Sequence, residues 1–342
     1  MSARVVFLGT GSGKPMPHRN VASVAFFRDG ELYLFDCGEA TQIQLSRSSL
    51  RPGALEAIFL THFHGDHVNG LPGLLGSLTL NRRERSLDLF GPTGLDRWLE
   101  TLRDLRILWP GFPLEVHEND TPGQVMRGDD FTIEVAPLSH RVETWGYAFL
   151  EDARPGRFDL ERAKELGIPP GPRYGQLQSG NTVELDDGRT ITPDQVLGPP
   201  RPGLKVVYVS DTTPCEAAVD LAEGADLLIH EATYPAGEES RARERGHSTA
   251  ADAARCAQKA GAHRLILTHI SQKYVDLDEF VRPARDIFPE TDVARDLMEV
   301  ELQRRESGVG SWRLEVESRV HHREHREHRE KPFKVLPQRP PR

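Results

Sequence analysis

Thr61-His62-Phe63-His64-Gly65-Asp66-His67 decides how this chain is read. Five of the seven side chains can bind or position a metal or a proton. The apolar run Ala57-Ile58-Phe59-Leu60 before it reads as a buried strand, and Gly65 allows a tight turn. Three imidazoles and a carboxylate therefore sit in one short loop at the end of a strand. Imidazole nitrogen and carboxylate oxygen suit zinc and similar divalent cations. Histidines packed this closely repel one another when protonated and need polar partners when buried. A solvent-exposed histidine-rich loop is the bland alternative. The recurrence of the same placement further along the chain argues against it.

Working outward, apolar strands end in His140, in Asp211 and in His269 as well as in His62. In a layered α/β fold, loops at one sheet edge converge, so these ends can share a pocket. With His64, Asp66 and His67 the set holds five histidines and two aspartates. That is too many donors for one tetrahedral ion and enough for two. Asp211, alone on its strand end, is the natural bridge. A pair of ions suits hydrolysis of a phosphodiester or another ester or acyl bond. Asp66 can take the proton of the attacking water. His247 and His230 are both candidates for protonating the leaving oxygen, against the alternative of core histidines satisfied by backbone. Asp36 reads equally as an orienting partner of a ligating histidine or as a turn or helix cap.

The 342 residues allow one large domain or two small ones. No apolar run approaches a membrane span, and the first residues enter a strand with no signal-peptide pattern. Three cysteines, Cys37, Cys215 and Cys256, without a Cys-x-x-Cys pair, argue for a reducing cytoplasm and against cysteine-held zinc. A net charge of −9 has the wrong sign for nonspecific coating of nucleic acid.

Gly9-Thr10-Gly11-Ser12-Gly13-Lys14 lacks the spacing of a phosphate loop and reads as a tight turn near the site. Residues 23–27 and 31–35 form an antiparallel pair around Asp29-Gly30. Helices are expected over 71–81, 95–105, 250–260 and 278–288, the third capped by Ser248 or Thr249. Strands are expected at 87–90, 112–117 and 131–136, and a last one at 312–317. Residues 151–203 are rich in Pro and Gly and too long for an ordinary connection. They read as an insertion, functional or a spacer, with a short helix at 160–166 and a hairpin at 183–191. Residues 304–342 form a charged tail that repeats His-Arg-Glu three times and reads as disordered.

His-x-His-x-Asp-His after a strand, with later His, Asp and His at strand ends, resembles the metallo-β-lactamase superfamily. Within it, residues 4–303 resemble the tRNase Z family of tRNA 3′-processing endoribonucleases. The resemblance is carried by His230-Glu231-Ala232-Thr233, by Gly246-His247-Ser248-Thr249, by Asp211 and by the Pro/Gly-rich insertion. It implies an α/β fold, an αββα sandwich of two mixed β-sheets flanked by helices. It implies two zinc ions per subunit, with manganese or iron(II) as alternatives. One would be held by His62, His64 and His140, the other by Asp66, His67 and His269, with Asp211 shared. Asp66 would be the proton acceptor, and His247, oriented by Glu231, would assist departure of the 3′ oxygen. The substrate would be precursor tRNA, cut to leave a 3′ hydroxyl on the tRNA and a 5′ phosphate on the trailer. The insertion would be a flexible arm that grips the tRNA, and the enzyme a cytoplasmic homodimer with no membrane segment. Two departures stand out. Pro17 occupies the place of lysine in the family's Pro-x-Lys-x-Arg-Asn loop, which senses the CCA end. The segment 151–203 has seven Lys or Arg against nine Asp or Glu, so shape and backbone contacts carry more of the binding. Rival readings are another hydrolase of the superfamily, which would need no arm for a small substrate, and a noncatalytic RNA-binding scaffold.

Overall fold

The computed structural model describes residues 3–304. The expected strand at 312–317 and the His-Arg-Glu tail lie outside the described residues.

Strand alternation builds the architecture. In Leu55–Phe59 and the residue after it, Ala57 and Phe59 face one way while Ile58 and Leu60 face the other. The same split runs through Ala3–Gly9, where Val5 and Phe7 oppose Val6 and Leu8. Both faces are apolar, so the sheet is covered on both sides. Its strands run in the order Glu299–Leu302, Ala3–Gly9, Ser23–Arg28, Glu31–Phe35, Leu55–Phe59, Leu87–Pro92, Leu114–Asn119. The second sheet runs Thr291–Val293, Leu265–Thr268, Leu227–Glu231, Lys205–Val209, Trp145–Glu151, Phe131–Pro137, Gly123–Arg127. In each, one half pairs in parallel and the other antiparallel. The inner faces meet in an aromatic core that includes Phe26, Tyr33, Phe35, Phe59, Tyr147 and Phe149. Helices cover the outer faces: Leu71–Leu80 and Leu95–Asp104 on the first sheet, Ala250–Ala260 and Asp278–Ile287 on the second. This is the four-layer αββα sandwich of two mixed sheets.

The hairpin turn has Asp29 at φ 50° and Gly30 at φ 101°, the positive pair that a two-residue turn between twisted strands requires. Thr249 is the cap of Ala250–Ala260, reciprocally bonded to Asp252. The strands Gly123–Arg127 and Trp145–Glu151 were not expected from the sequence. The latter is buried along most of its length, and a short continuous apolar run shows no period that separates strand from buried helix. The strand expected at 112–117 lies at Leu114–Asn119.

The insertion leaves the second sheet after Glu151 and returns at Lys205. Its base is closed by Arg154 and Arg201, which exchange two backbone hydrogen bonds of 2.8 Å. It carries the expected helix at Leu160–Glu165 and hairpin Val183–Glu184 with Thr190–Ile191. A second helix, Pro172–Gln178, starts inside the Pro/Gly run, where Pro suits the first turn. Ala163, Ile168, Leu177, Val183, Ile191 and Val196 are buried together, so the segment has its own small core.

Candidate active site

Donors converge where the two sheets meet, at the ends of the strands that carry them. His62, His64, Asp66 and His67 follow Leu55–Phe59. His140 follows Phe131–Pro137, Asp211 follows Lys205–Val209, and His269 follows Leu265–Thr268. The pair Gly11–Ser12 with Ile270–Ser271 ties the first turn to the His269 loop. From that turn, Gly13 N–H donates to Asp66 Oδ2 at 2.6 Å.

Each imidazole is aimed by what its outer nitrogen binds. Asp36 accepts from His67 Nδ1 at 2.7 Å, from Tyr208 Oη at 2.9 Å and from Thr61 N at 2.8 Å. Its orienting role is therefore the one the geometry carries. The Thr61 hydroxyl also donates to Asp36, so its oxygen accepts from His62 Nδ1 at 3.0 Å. His269 Nδ1 donates to Thr233 Oγ1 at 3.0 Å and His140 Nδ1 to the Gly246 carbonyl at 2.6 Å. Those four rings consequently present Nε2 inward, while His64 presents Nδ1, 2.9 Å from His62 Nε2. Gly246 is required twice over. Its φ is 81°, and a Cβ there would lie 2.9 Å from the His140 ring. Asp36 and His269 are themselves held at φ 57° and 56°, costly for residues other than glycine.

The donor atoms fall into two sets, His62, His64, His140 with Asp211, and Asp66, His67, His269. Asp211 joins them. Its Oδ2 lies 3.5 Å from His62 and 3.8 Å from His140, its Oδ1 3.4 Å from His67 and 3.2 Å from His269. Ligands about 2.0–2.1 Å from a tetrahedral ion stand about 3.3 Å apart, which is the spacing found here. Electrostatics point the same way. Burial, then His67, pushes the His62 imidazolium well below its usual range, so the ring is neutral and able to bind metal. Burial alone would lower His67, but Asp211 and Asp36 push it up to about 10, a mark of excess negative charge around that ring. The donor set has the chemistry of a divalent-metal centre.

Glu231 lies beside this centre, fully buried. It accepts from Thr212 N and Thr233 N at 2.9 Å, from Ser248 N at 3.1 Å and from His247 Nδ1 at 3.0 Å. Although His247 also comes near Asp211 and His269, its Nδ1 is held by Glu231 and Thr233, so we do not count it as a ligand. Against burial, the Glu231 charge and hydrogen bond push His247 up to about 9. For His230 the sequence left two readings, proton donor or core histidine satisfied by backbone, and the geometry favours the second. Adjacent strand residues point to opposite faces, so where Glu231 faces the centre His230 faces away. Its Nδ1 donates to a backbone carbonyl at 2.7 Å, and it lines a separate cavity with Cys215 and Cys256. Thr61, Thr233 and Gly246 have no orienting role in the sequence reading, although each lies in a stretch that carries it.

Comparison with known proteins agrees with this geometry. The model described as Anti-Pycsar protein Apyc1 matches residues 3–105, and the beta-lactamase superfamily domain matches residues 178–270. The ribonuclease Z of Methanothermobacter thermautotrophicus is 46% identical over 307 residues, covering 90% of this chain and 99% of its own. That of Synechococcus sp. strain CC9311 is 47% identical over 310 residues, 87% of this chain and 98% of its own. Among solved structures, the short form of human tRNase Z superposes with a TM-score of 0.64 at 29% identity, over 86% of this chain and 98% of its own. The metallo-beta-lactamase fold protein YhfI of Bacillus subtilis, at 21% identity and a TM-score of 0.61, shares the fold. Identity this high, sustained over nine tenths of the chain, adds to the architecture of the site: the chain belongs to the ribonuclease Z family.

Proposed function

We propose that this chain is a metal-dependent endoribonuclease that removes the 3′ trailer from tRNA precursors. The observation that carries the mechanism is Asp211, a buried carboxylate whose two oxygens serve two separate donor sets. His62, His64 and His140 would hold one zinc ion and Asp66, His67 and His269 the other, with Asp211 between them. Manganese or iron(II) would suit the same donors. Cations held by these residues would supply positive charge at the scissile phosphate and make the attacking water more acidic. Asp66, partly exposed at the site, accepts that water's proton. Burial would raise Asp66, but the histidines beside it hold it far below the usual carboxylate range. His247, kept protonated by Glu231, gives a proton to the departing 3′ oxygen. The products are a tRNA with a 3′ hydroxyl and a trailer with a 5′ phosphate.

A small substrate needs no folded insertion of this size, and residues 151–203 form the tRNA-gripping arm. The protein acts as a homodimer in the cytoplasm. Exposed Leu80, Leu105, Ile107 and Trp109, the last 79% accessible, support a dimer contact. They lie where the segment 105–111 returns to the end of Leu71–Leu80, with Gly111 N bonded to Thr79 Oγ1. Free thiols at Cys37, Cys215 and Cys256 fit a reducing compartment. No helix among the described residues is long and apolar enough to cross a membrane.

The test is incubation of the purified protein with a 3′-extended precursor tRNA lacking an encoded CCA, with and without chelator, and mapping of the cut. A single chelator-sensitive cut after the discriminator base is expected. Hydrolysis of small diesters without any cut in the precursor would make the chain a different phosphodiesterase.

A further inference from the structure

Phe63 stands between two donor residues, His62 and His64, about 3.8 Å from each along the backbone. Its ring does not join them. It turns toward the helix Leu95–Asp104, where Trp98 meets it with centroids 6.0 Å apart and planes inclined at 56°. The two rings form an open wedge rather than a closed stack. Both are only partly buried. A cavity of about 330 Å³ opens over them, lined by Phe63, Val68, Gly94, Arg97, Trp98 and Thr101. Arg97 is exposed at its edge and makes no ion pair among the described residues. Gly94, at φ 98°, forms one wall, and a Cβ there would only just touch the Phe63 ring at 3.9 Å.

Two aromatic faces and a free guanidinium are what a single-stranded nucleotide recognises, the rings stacking the base and the cation meeting a phosphate. Both rings pack on the apolar layer beneath the helix Leu95–Asp104, and their outer faces stay open to the cavity beside the loop that carries His62 and His64. We infer that the wedge of Phe63 and Trp98 is a nucleobase subsite, with Arg97 as its phosphate contact, and that it takes the first nucleotide of the trailer. This rests on the endoribonuclease reading above. The side follows from the sandwich. Glu231 ends the strand Leu227–Glu231 of the second sheet, and His247, on the loop before Ala250–Ala260, is bonded to it; these two serve the departing 3′ oxygen of the tRNA. Phe63 lies on the loop after Leu55–Phe59 of the first sheet, between His62 and His64, and Trp98 on the helix that covers that sheet. The strand that leaves across the first sheet is the trailer.

The experiment uses the full chain and three precursor tRNAs: unmodified, abasic at the first trailer nucleotide, and abasic at the discriminator. The readout is the ratio of kcat/KM between substrates within each variant, so that a general loss of folding or metal cancels. The wild type should cut the trailer-abasic precursor about 5- to 100-fold less efficiently than the unmodified one. In Trp98→Ala that ratio should fall to within about twofold, and Trp98→Phe should restore most of it. Arg97→Gln should slow both substrates alike, because a phosphate contact carries no base information. A full abasic penalty persisting in Trp98→Ala overturns the subsite. So does a wild type indifferent to the missing trailer base, or a Trp98-dependent penalty that appears only at the discriminator. A wild type that hydrolyses bis(p-nitrophenyl) phosphate but cuts no precursor overturns the endoribonuclease reading itself, and this inference with it.

Discussion

At the scale of single residues, the site works because side chains outside the donor sets fix which nitrogen faces in. Asp36 is the clearest case, since it holds His67, Thr61 and Tyr208 together. Asp36→Asn should weaken metal affinity about 10- to 100-fold while the fold persists, measured by competition with a chromogenic chelator. Unchanged affinity would remove Asp36 from the metal site. His247 gives a pH prediction. A group whose pKa is raised on folding, here to about 9 from 6.5, contributes stability in full below its unfolded value and loses it as pH rises through the folded value. A general acid loses activity over the same upper range. Glu231→Gln removes the charge that raises His247, so the alkaline limb of the kcat/KM profile should move to lower pH. An unmoved limb would mean another group sets it. Asp66→Ala should abolish cleavage while tRNA binding survives, read by gel shift beside a cleavage assay.

At the scale of elements, two features separate support from function. Phe149 on Trp145–Glu151 joins the sheets, with Phe26 at 4.6 Å and Phe131 at 4.7 Å between ring centroids. Phe149→Ala should cost about 3–5 kcal/mol in urea unfolding, because the surrounding aromatics cannot collapse into the space. The insertion behaves differently. It has its own core and a narrow base where Arg154 and Arg201 pair. Deleting residues 155–200 should weaken precursor cleavage and spare bis(p-nitrophenyl) phosphate. Equal loss of both would make the segment part of the scaffold.

At the scale of the whole molecule, the exposed apolar cluster and the metal centre set separate tests. Ile107→Glu with Trp109→Arg should halve the mass seen by light scattering if that face joins two copies. An unchanged mass would place the dimer contact elsewhere or leave the protein monomeric. Metal bound to the native state alone stabilises by mass action. Chelation should therefore lower the melting temperature, and added zinc should restore it.

The sequence by itself named the candidate donors, because ligand chemistry and strand ends are local: His62, His64, Asp66 and His67 lie in one loop, and His140, Asp211 and His269 each follow an apolar run. It determined most strands and helices through their periodicity. It could not show that Asp211 faces both donor sets, because the direction of each carboxylate oxygen is set by packing between distant strands. It left His230 and His247 open as alternatives. The pleat turns Glu231 toward the centre and His230 away from it, while His247 arrives from a different loop to meet Glu231. Only the packed sheets decided that Asp36 orients His67 rather than caps a turn, since its three partners come from residues 25, 31 and 172 positions away along the chain.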